Sequence, residues 1–334
     1  SRFESLCSII EIKKLYLDSK AYLMGKTEGN AVIGTSVGKA VSLSGKGVCV
    51  AFIDSGVYPH PDLTRPKNRI VAFKDFVNGL EGPYDDNGHG TACIGAAFGC
   101  SAEGKFRALA YDSTIICAKA FNSLAIGSYS DILAAMQWIY SLKDKYNIKI
   151  IVLPFGTSCT HHGYDILELA ASLLWQYGLF VSICSGNLGP GEGSITSPGT
   201  EASCFTTGAC NSSGSLLRTE GFSGCGPVAG KTDKPDAVMP GYKVPSLYCD
   251  SMYVPREKSY PTTHSLNHFY STASGTSVSA SMTAAAAALL YQKKSNLSPS
   301  DIKGILKLCC TSLNEPKTAQ GAGMIDIKKI EELQ

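Results

Sequence analysis

Charge is scarce in this chain. Only 17% of its residues are Asp, Glu, Lys or Arg, and the formal net charge is +2. No long basic run interrupts it, so nothing favours nucleic-acid binding. A membrane span is also missing: the longest apolar run, near Met282 to Leu290, is too short and too rich in alanine. The 13 cysteines include no CxxC pair, which argues against a zinc knuckle. No secretory signal is recognisable at Ser1-Arg2-Phe3-Glu4, which is charged and has no apolar block behind it. Gly189-Pro190-Gly191-Glu192-Gly193 lacks the strand and helix that frame a phosphate loop. Internal repeats and low-complexity tracts are absent.

What is present points to a globular protein. The 334 residues are 44% hydrophobic, enough for a substantial core in one large domain or two small ones. Cys49, Cys117 and Cys184 lie inside apolar, strand-like runs, the usage of buried reduced thiols. A reducing compartment is therefore expected, which means a cytoplasmic location. Secretion after loss of an upstream signal is the alternative.

Taken in order, residues 1–26 stand apart as an extension. Ile9 to Leu17 is strand-like, and Lys26-Thr27-Glu28-Gly29-Asn30 reads as a linker. Gly45-Lys46-Gly47 is a turn before Val48 to Ile53, a run suited to a central parallel strand. Strands are predicted over Ser113 to Ala120, Lys149 to Phe155 and Leu179 to Cys184. Helices are predicted over Ser130 to Tyr146 and Asp165 to Tyr177. This alternation implies βαβ units on a parallel sheet. After residue 200 the chain reads as loop-rich, with short strands near Phe222 to Pro227 and Lys234 to Gly241. Ser298-Pro299-Ser300-Asp301 opens a last helix.

Four polar residues sit at element ends. Asp54 closes the central strand, where open α/β sheets place ligands, although a turn aspartate looks the same. His89, between two glycines, opens a small-residue helix, or is a satisfied core histidine. Asn187 follows a strand, as turn former or side-chain donor. Ser277 precedes the alanine block Ala284 to Ala288, as a helix cap or as a nucleophile beside free N–H groups. Asp85-Asp86 reads as a solvated loop and His161-His162 as surface. Serine needs a neighbouring base to become nucleophilic, and Asp54, His89 and Ser277 are the residue types of that chemistry. Asn187 and the Ser277 backbone N–H would form the oxyanion hole.

The motifs carry a resemblance. Ile53-Asp54-Ser55-Gly56-Val57 with His60-Pro61-Asp62-Leu63, Asn87-Gly88-His89-Gly90-Thr91, Ser185-Gly186-Asn187 and Ser274-Gly275-Thr276-Ser277 resemble the aspartate, histidine, oxyanion and serine motifs of subtilisin-family serine proteases. The likeness covers residues 28 to 330. Many cysteines, short loops and Gln320 to Asp326 are similar to the bacterial intracellular-type branch. Ser279 and Ser281 depart from the family's usual alanine and proline, Ala92-Cys93-Ile94-Gly95 from its histidine helix, and Pro154-Phe155-Gly156 from its Ser-Leu-Gly.

The resemblance implies an α/β fold of three αβα layers on a mostly parallel sheet, with a catalytic domain over 27–334. It implies a serine endopeptidase. An extended peptide would lie between Ala125-Ile126-Gly127 and Pro154-Phe155-Gly156, with Ser185 and Gly186 beside it. Residues 1–26 would be a propeptide remnant, with Ala21-Tyr22-Leu23-Met24-Gly25 as a tail reaching into the cleft as the enzyme's own inhibitor. No cofactor, nucleic acid or membrane is expected. A structural calcium ion finds no loop that indicates it, since Gly99 to Phe106 offers only Glu103. A silent pseudoprotease that binds a peptide or small ligand, and a peptide ligase or cyclase, are the alternatives.

Overall fold

Apolar runs bounded by turn residues become parallel strands when helices cover both their faces. The computed structural model describes residues 18–30, 42–100, 107–157, 165–211, 217–228, 234–255 and 269–333. Its strands are β1 (Lys20–Leu23), β2 (Lys26–Asn30), β3 (Cys49–Asp54), β4 (Ile70–Asp75), β5 (Thr114–Lys119), β6 (Ile126–Ser128), β7 (Ile148–Leu153), β8 (Phe155–Thr157), β9 (Phe180–Cys184), β10 (Phe205–Cys210), β11 (Ala237–Pro240), β12 (Val244–Leu247), β13 (Tyr270–Ser274), β14 (Cys310–Thr311) and β15 (Met324–Ile325). The main sheet has nine strands in the order β14-β15-β11-β10-β9-β7-β3-β5-β4. All pairs are parallel except β14 with β15.

The first strand of this sheet, β3, lies inside it, between β5 and β7. Strand order reverses there, so the C-terminal end of β3 is the switch point where such sheets form a crevice. Every residue of β3 is buried, including Asp54 at its end. Helix His89–Phe98 packs on helix Thr276–Lys293, and helix Tyr129–Ser141 on helix Ile166–Gln176. Both pairs touch the strands, which gives the three-layer αβα arrangement. The rings of Phe52 on β3 and Phe98 meet edge to face at 5.7 Å, an aromatic pair of about 0.5–1.5 kcal/mol beyond its burial.

The helix Thr276–Lys293 explains its own composition. It is buried from Thr276 through Tyr291 on all sides. Alanine is the strongest helix former and lets neighbours approach closely. Its hydroxyls are absorbed: Ser281 Oγ donates to the Ser277 carbonyl at 2.9 Å and Ser279 Oγ to that of Pro240 at 3.3 Å. The serines at these two departures are thus paired inside the core.

Several expectations need correction. Lys26–Asn30 is no linker: as β2 it pairs antiparallel with β13, in the sheet β12-β13-β2. The helix expected over Ser130 to Tyr146 breaks at Leu142 into Tyr129–Ser141 and Lys143–Tyr146. The strand expected over Lys149 to Phe155 stops at Leu153, because Pro154 has no N–H to continue the ladder, and β8 follows as a separate strand. Phe222 to Pro227 contains no strand. The short strand expected within Lys234 to Gly241 is present as Ala237–Pro240 and pairs with β10 in the main sheet. The strand reading of Ile9 to Leu17, His161-His162 and Glu103 lie outside the described residues.

Candidate active site

Three elements converge at the crevice. β3 delivers Asp54, the first turn of His89–Phe98 delivers His89, and the first turn of Thr276–Lys293 delivers Ser277. His89 Nδ1 lies 2.8 Å from Asp54 Oδ1, and Nε2 lies 3.0 Å from Ser277 Oγ. A carboxylate only accepts, so Nδ1 carries the hydrogen and Nε2 is free to take the proton of the Ser277 hydroxyl. Burial disfavours a charged imidazole. The Asp54 carboxylate outweighs it and holds His89 well above its ordinary value.

The loop carrying His89 is anchored by residues that sequence reasoning assigned to solvent. Asp85 is fully buried. Its Oδ1 accepts from Ser55 Oγ at 2.8 Å and from the N–H of Gly88 at 2.8 Å. Its Oδ2 accepts from the N–H and hydroxyl of Thr91 at 2.9 and 2.7 Å. The expectation of a solvated Asp85-Asp86 loop is therefore corrected: one carboxylate ties the turn after β3 to the first turn of the histidine helix. Asp86 pairs with the buried Lys119 at 2.6 Å, and Lys119 also donates to the carbonyl of Ser55. Two adjacent acidic residues facing different ways were the only hint of this split.

Asn187 sits beside the serine helix. Its Oδ1 accepts from the Thr276 N–H at 3.1 Å and the Thr276 hydroxyl at 2.9 Å. The backbone donor fixes which end is oxygen, so the amide NH₂ is left to donate elsewhere.

The chain's own segment runs through this site. β1 lies antiparallel between β6 and β8, so it is the centre strand of three. Leu23 N–H donates to the Ala125 carbonyl, Met24 N–H to that of Pro154, and Ser277 N–H to that of Met24, each at 3.2 Å. A Cβ on Gly25 would stand 2.5 Å from Ser277 Oγ and 3.0 Å from His89 Nε2. Gly275 has φ +143, and a Cβ there would meet the Met24 oxygen at 2.3 Å, so only glycine admits this approach. The Met24–Gly25 peptide thus lies across Ser277. Beyond it, Lys26 and Thr27 pair with Ser274 and Ala273, next to a cavity of about 320 Å³ lined by Lys26, Asn187, Phe222 and Tyr242.

The residues singled out for substrate fall around this segment. Ala125, Ile126 and Gly127 flank β1 on one side, with Pro154, Phe155 and Gly156 on the other. Ser185 and Gly186 lead from β9 to Asn187. Cys93 Sγ stands 3.8 Å from both ring nitrogens of His89, hence over the ring rather than in its plane. Asp54, His89 and Cys93 are the one His, Cys and carboxylate group among the described residues compact enough for a metal ion. The in-plane positions of His89 already face Asp54 and Ser277, so the thiol is a packing contact and no metal is assigned.

The sequence model of the Subtilase family matches residues 45–324, which contain all four of these polar residues. The chain belongs to the subtilase family. The Serine protease AprX of Bacillus subtilis (strain 168) is 34% identical over 317 residues, 91% of this chain and 70% of that protein. Subtilisin Savinase of Lederbergia lenta is 30% identical over 284 residues, 85% of this subtilase and 90% of that protein. The crystal structure of a cold adapted subtilisin-like serine proteinase superposes with a TM-score of 0.63 at 23% identity. It covers 86% of this chain and 89% of its own, which speaks to the fold.

Proposed function

We propose that this subtilase, a serine endopeptidase, cuts peptide bonds by acyl transfer to Ser277. Ser277 Oγ attacks the carbonyl carbon while His89 Nε2 takes the hydroxyl proton. Asp54 holds the imidazole tautomer and stabilises the imidazolium. The C–N bond breaks as His89 returns the proton to the leaving amine, and water then releases the acyl group by the same route. The Ser277 N–H and the Asn187 amide donate to the oxyanion. Neither base nor nucleophile requires a cofactor.

The observation that carries this reading is the Met24 carbonyl accepting from the Ser277 N–H at 3.2 Å, with β1 paired on both sides. A peptide in that pose is a substrate. The first substrate would be the Met24–Gly25 bond itself, and the residues before it would inhibit in cis until cut. The extension would then end at Met24, close to the boundary expected after residue 26. The eleven unpaired cysteines among the described residues support a reducing compartment.

A fluorophosphonate probe tests the nucleophile. Labelling at Ser277, mapped by mass spectrometry, is expected, and a folded protein without label would be a pseudoprotease. Products heavier by one water mark hydrolysis, whereas joined peptides would mark a ligase.

A further inference from the structure

One buried side chain links the turn after Asp54 to the His89 helix. Ser55 follows Asp54, and its N–H donates to Asp54 Oδ1 at 2.6 Å, the oxygen that also faces His89 Nδ1. The Ser55 hydroxyl donates to Asp85 Oδ1 at 2.8 Å and accepts from the Gly90 N–H at 3.0 Å. Ser55 thus grips Asp54 with its backbone and the residue after His89 with its side chain. The approach it holds is tight: a Cβ on Gly90 would stand 3.1 Å from Cβ and Cγ of Asp54 and 2.1 Å from the Gly56 carbonyl oxygen. Behind Ser55, five donors meet the Asp85 carboxylate, namely the hydroxyls of Ser55 and Thr91 and the N–H groups of Asn87, Gly88 and Thr91. A carboxylate only accepts, so both hydroxyls turn their hydrogens toward it. Their lone pairs are left for the Gly90 N–H and, on Thr91, for the Tyr58 N–H at 2.8 Å.

We infer that Asp85 is a positioning residue for the acyl transfer: through Ser55 it sets the spacing of His89 from Asp54. The inference rests on the proposed roles of those two residues. An amide cannot stand in for this carboxylate, because its NH₂ would face a donor whichever way it turned. With the tie loosened, the Gly90 N–H loses an oriented acceptor and the first turn of the helix drifts from β3. Misplacement by about 1 Å costs a reacting group on the order of 10²-fold in rate. The drift also has a sign in pH. The groups facing His89 are Asp54 from β3, Ser277 from its helix and Cys93 from His89's own, with Asp85 and Asp86, the latter paired with Lys119, in the preceding loop. Asp54 holds the charged imidazole, so a greater distance from it lets His89 lose its proton at lower pH.

The test compares variants of the full chain by kcat, KM and pH profile on a fluorogenic peptide, with Tm as the measure of stability. Ser55→Ala keeps every charge and removes the hydroxyl that leads from Asp85 to Gly90. Its kcat should fall about tenfold, with KM within about twofold and the activity limb moved to lower pH. Thr91→Val removes the other hydroxyl, which leads to Tyr58 instead. At a similar loss of Tm it should leave the limb in place. Asp85→Asn should lower kcat about 10²-fold and move the limb as Ser55→Ala does. If Asp85→Asn fails to fold, the contrast between Ser55→Ala and Thr91→Val decides alone. A wild-type profile in Ser55→Ala or in folded Asp85→Asn, or a limb moved equally by Thr91→Val, overturns the inference and leaves Asp85 as a staple of the fold. Ser277→Ala is run alongside: cleavage that persists there overturns the nucleophile assignment instead, whatever the profiles.

Discussion

The two sides of the Met24–Gly25 peptide are held differently. Before it, β1 is a centre strand with a neighbour on each edge, and Ala21, Leu23 and Met24 are buried. After it, β2 has β13 as its one strand neighbour among the described residues and lies next to a cavity. The acyl side of the bond is thus paired along two strand edges and the amine side along one. Such an asymmetry suits an acyl-enzyme: the half that would become covalently attached is bracketed on both edges, and the half that would leave has one edge to break.

The largest break in this comparison is removal of the nucleophile. Ser277→Ala should abolish turnover of a fluorogenic peptide, a loss on the order of 10⁶ in kcat if the three residues act as a unit. The protein should stay folded, since the helix start loses only a hydroxyl. Intact mass should show residues 1–24 still attached. A chain that is cut at Met24–Gly25 despite the substitution is processed by something other than its own site.

Asn187→Ala comes next. If its amide donates to the oxyanion as proposed, kcat should fall roughly 10²–10³-fold with KM little changed. An unchanged kcat would reduce Asn187 to the residue that orders Thr276. Smaller still is a matched pair of prolines. Leu23→Pro deletes the N–H that donates to Ala125 and should slow self-cleavage about tenfold or more, followed by intact mass over time. Thr27→Pro, on the side paired along one edge, should cost only about twofold. Equal effects would mean that the two sides contribute alike.

Much of this site was legible in the sequence, for a physical reason. Asp54, Asn187 and Ser277 mark abrupt changes from apolar runs to turns or from turns to small-residue helices, and such edges survive without tertiary information. What stayed hidden depends on partners far along the chain. β10, Phe-Thr-Thr-Gly-Ala-Cys, has too few large apolar side chains to read as a strand. Its threonines are nonetheless buried and paired, Thr206 Oγ1 to the Gly199 carbonyl at 2.6 Å and Thr207 Oγ1 to Thr283 Oγ1 at 3.0 Å. β2 looks like a turn sequence, and only β13 makes it a strand. Asp85, Lys119 and Thr196 follow the same rule: each is a polar residue whose burial is decided by the elements that close over it.

The smallest expected effect concerns Cys93, which packs against the His89 ring at 3.8 Å. Burial of His89 opposes its charge, the Asp54 carboxylate overrides burial, and electron-rich Cys93 Sγ over the ring adds to the same side. A raised value in the folded state means that the charged imidazole contributes stability fully below the ordinary histidine value, and that this contribution is lost as pH rises through the raised one. Activity runs the opposite way, because only the neutral imidazole accepts the Ser277 proton. Self-cleavage should therefore climb with pH through a midpoint above the ordinary value of about 6.5. Asp54→Asn should move that limb to lower pH while lowering kcat steeply. Cys93→Ala should move it the same way by less, with kcat within about threefold of wild type, because a buried thiol behaves as a small apolar residue. A pH profile of Cys93→Ala that overlays the wild type would show that the sulfur only fills space.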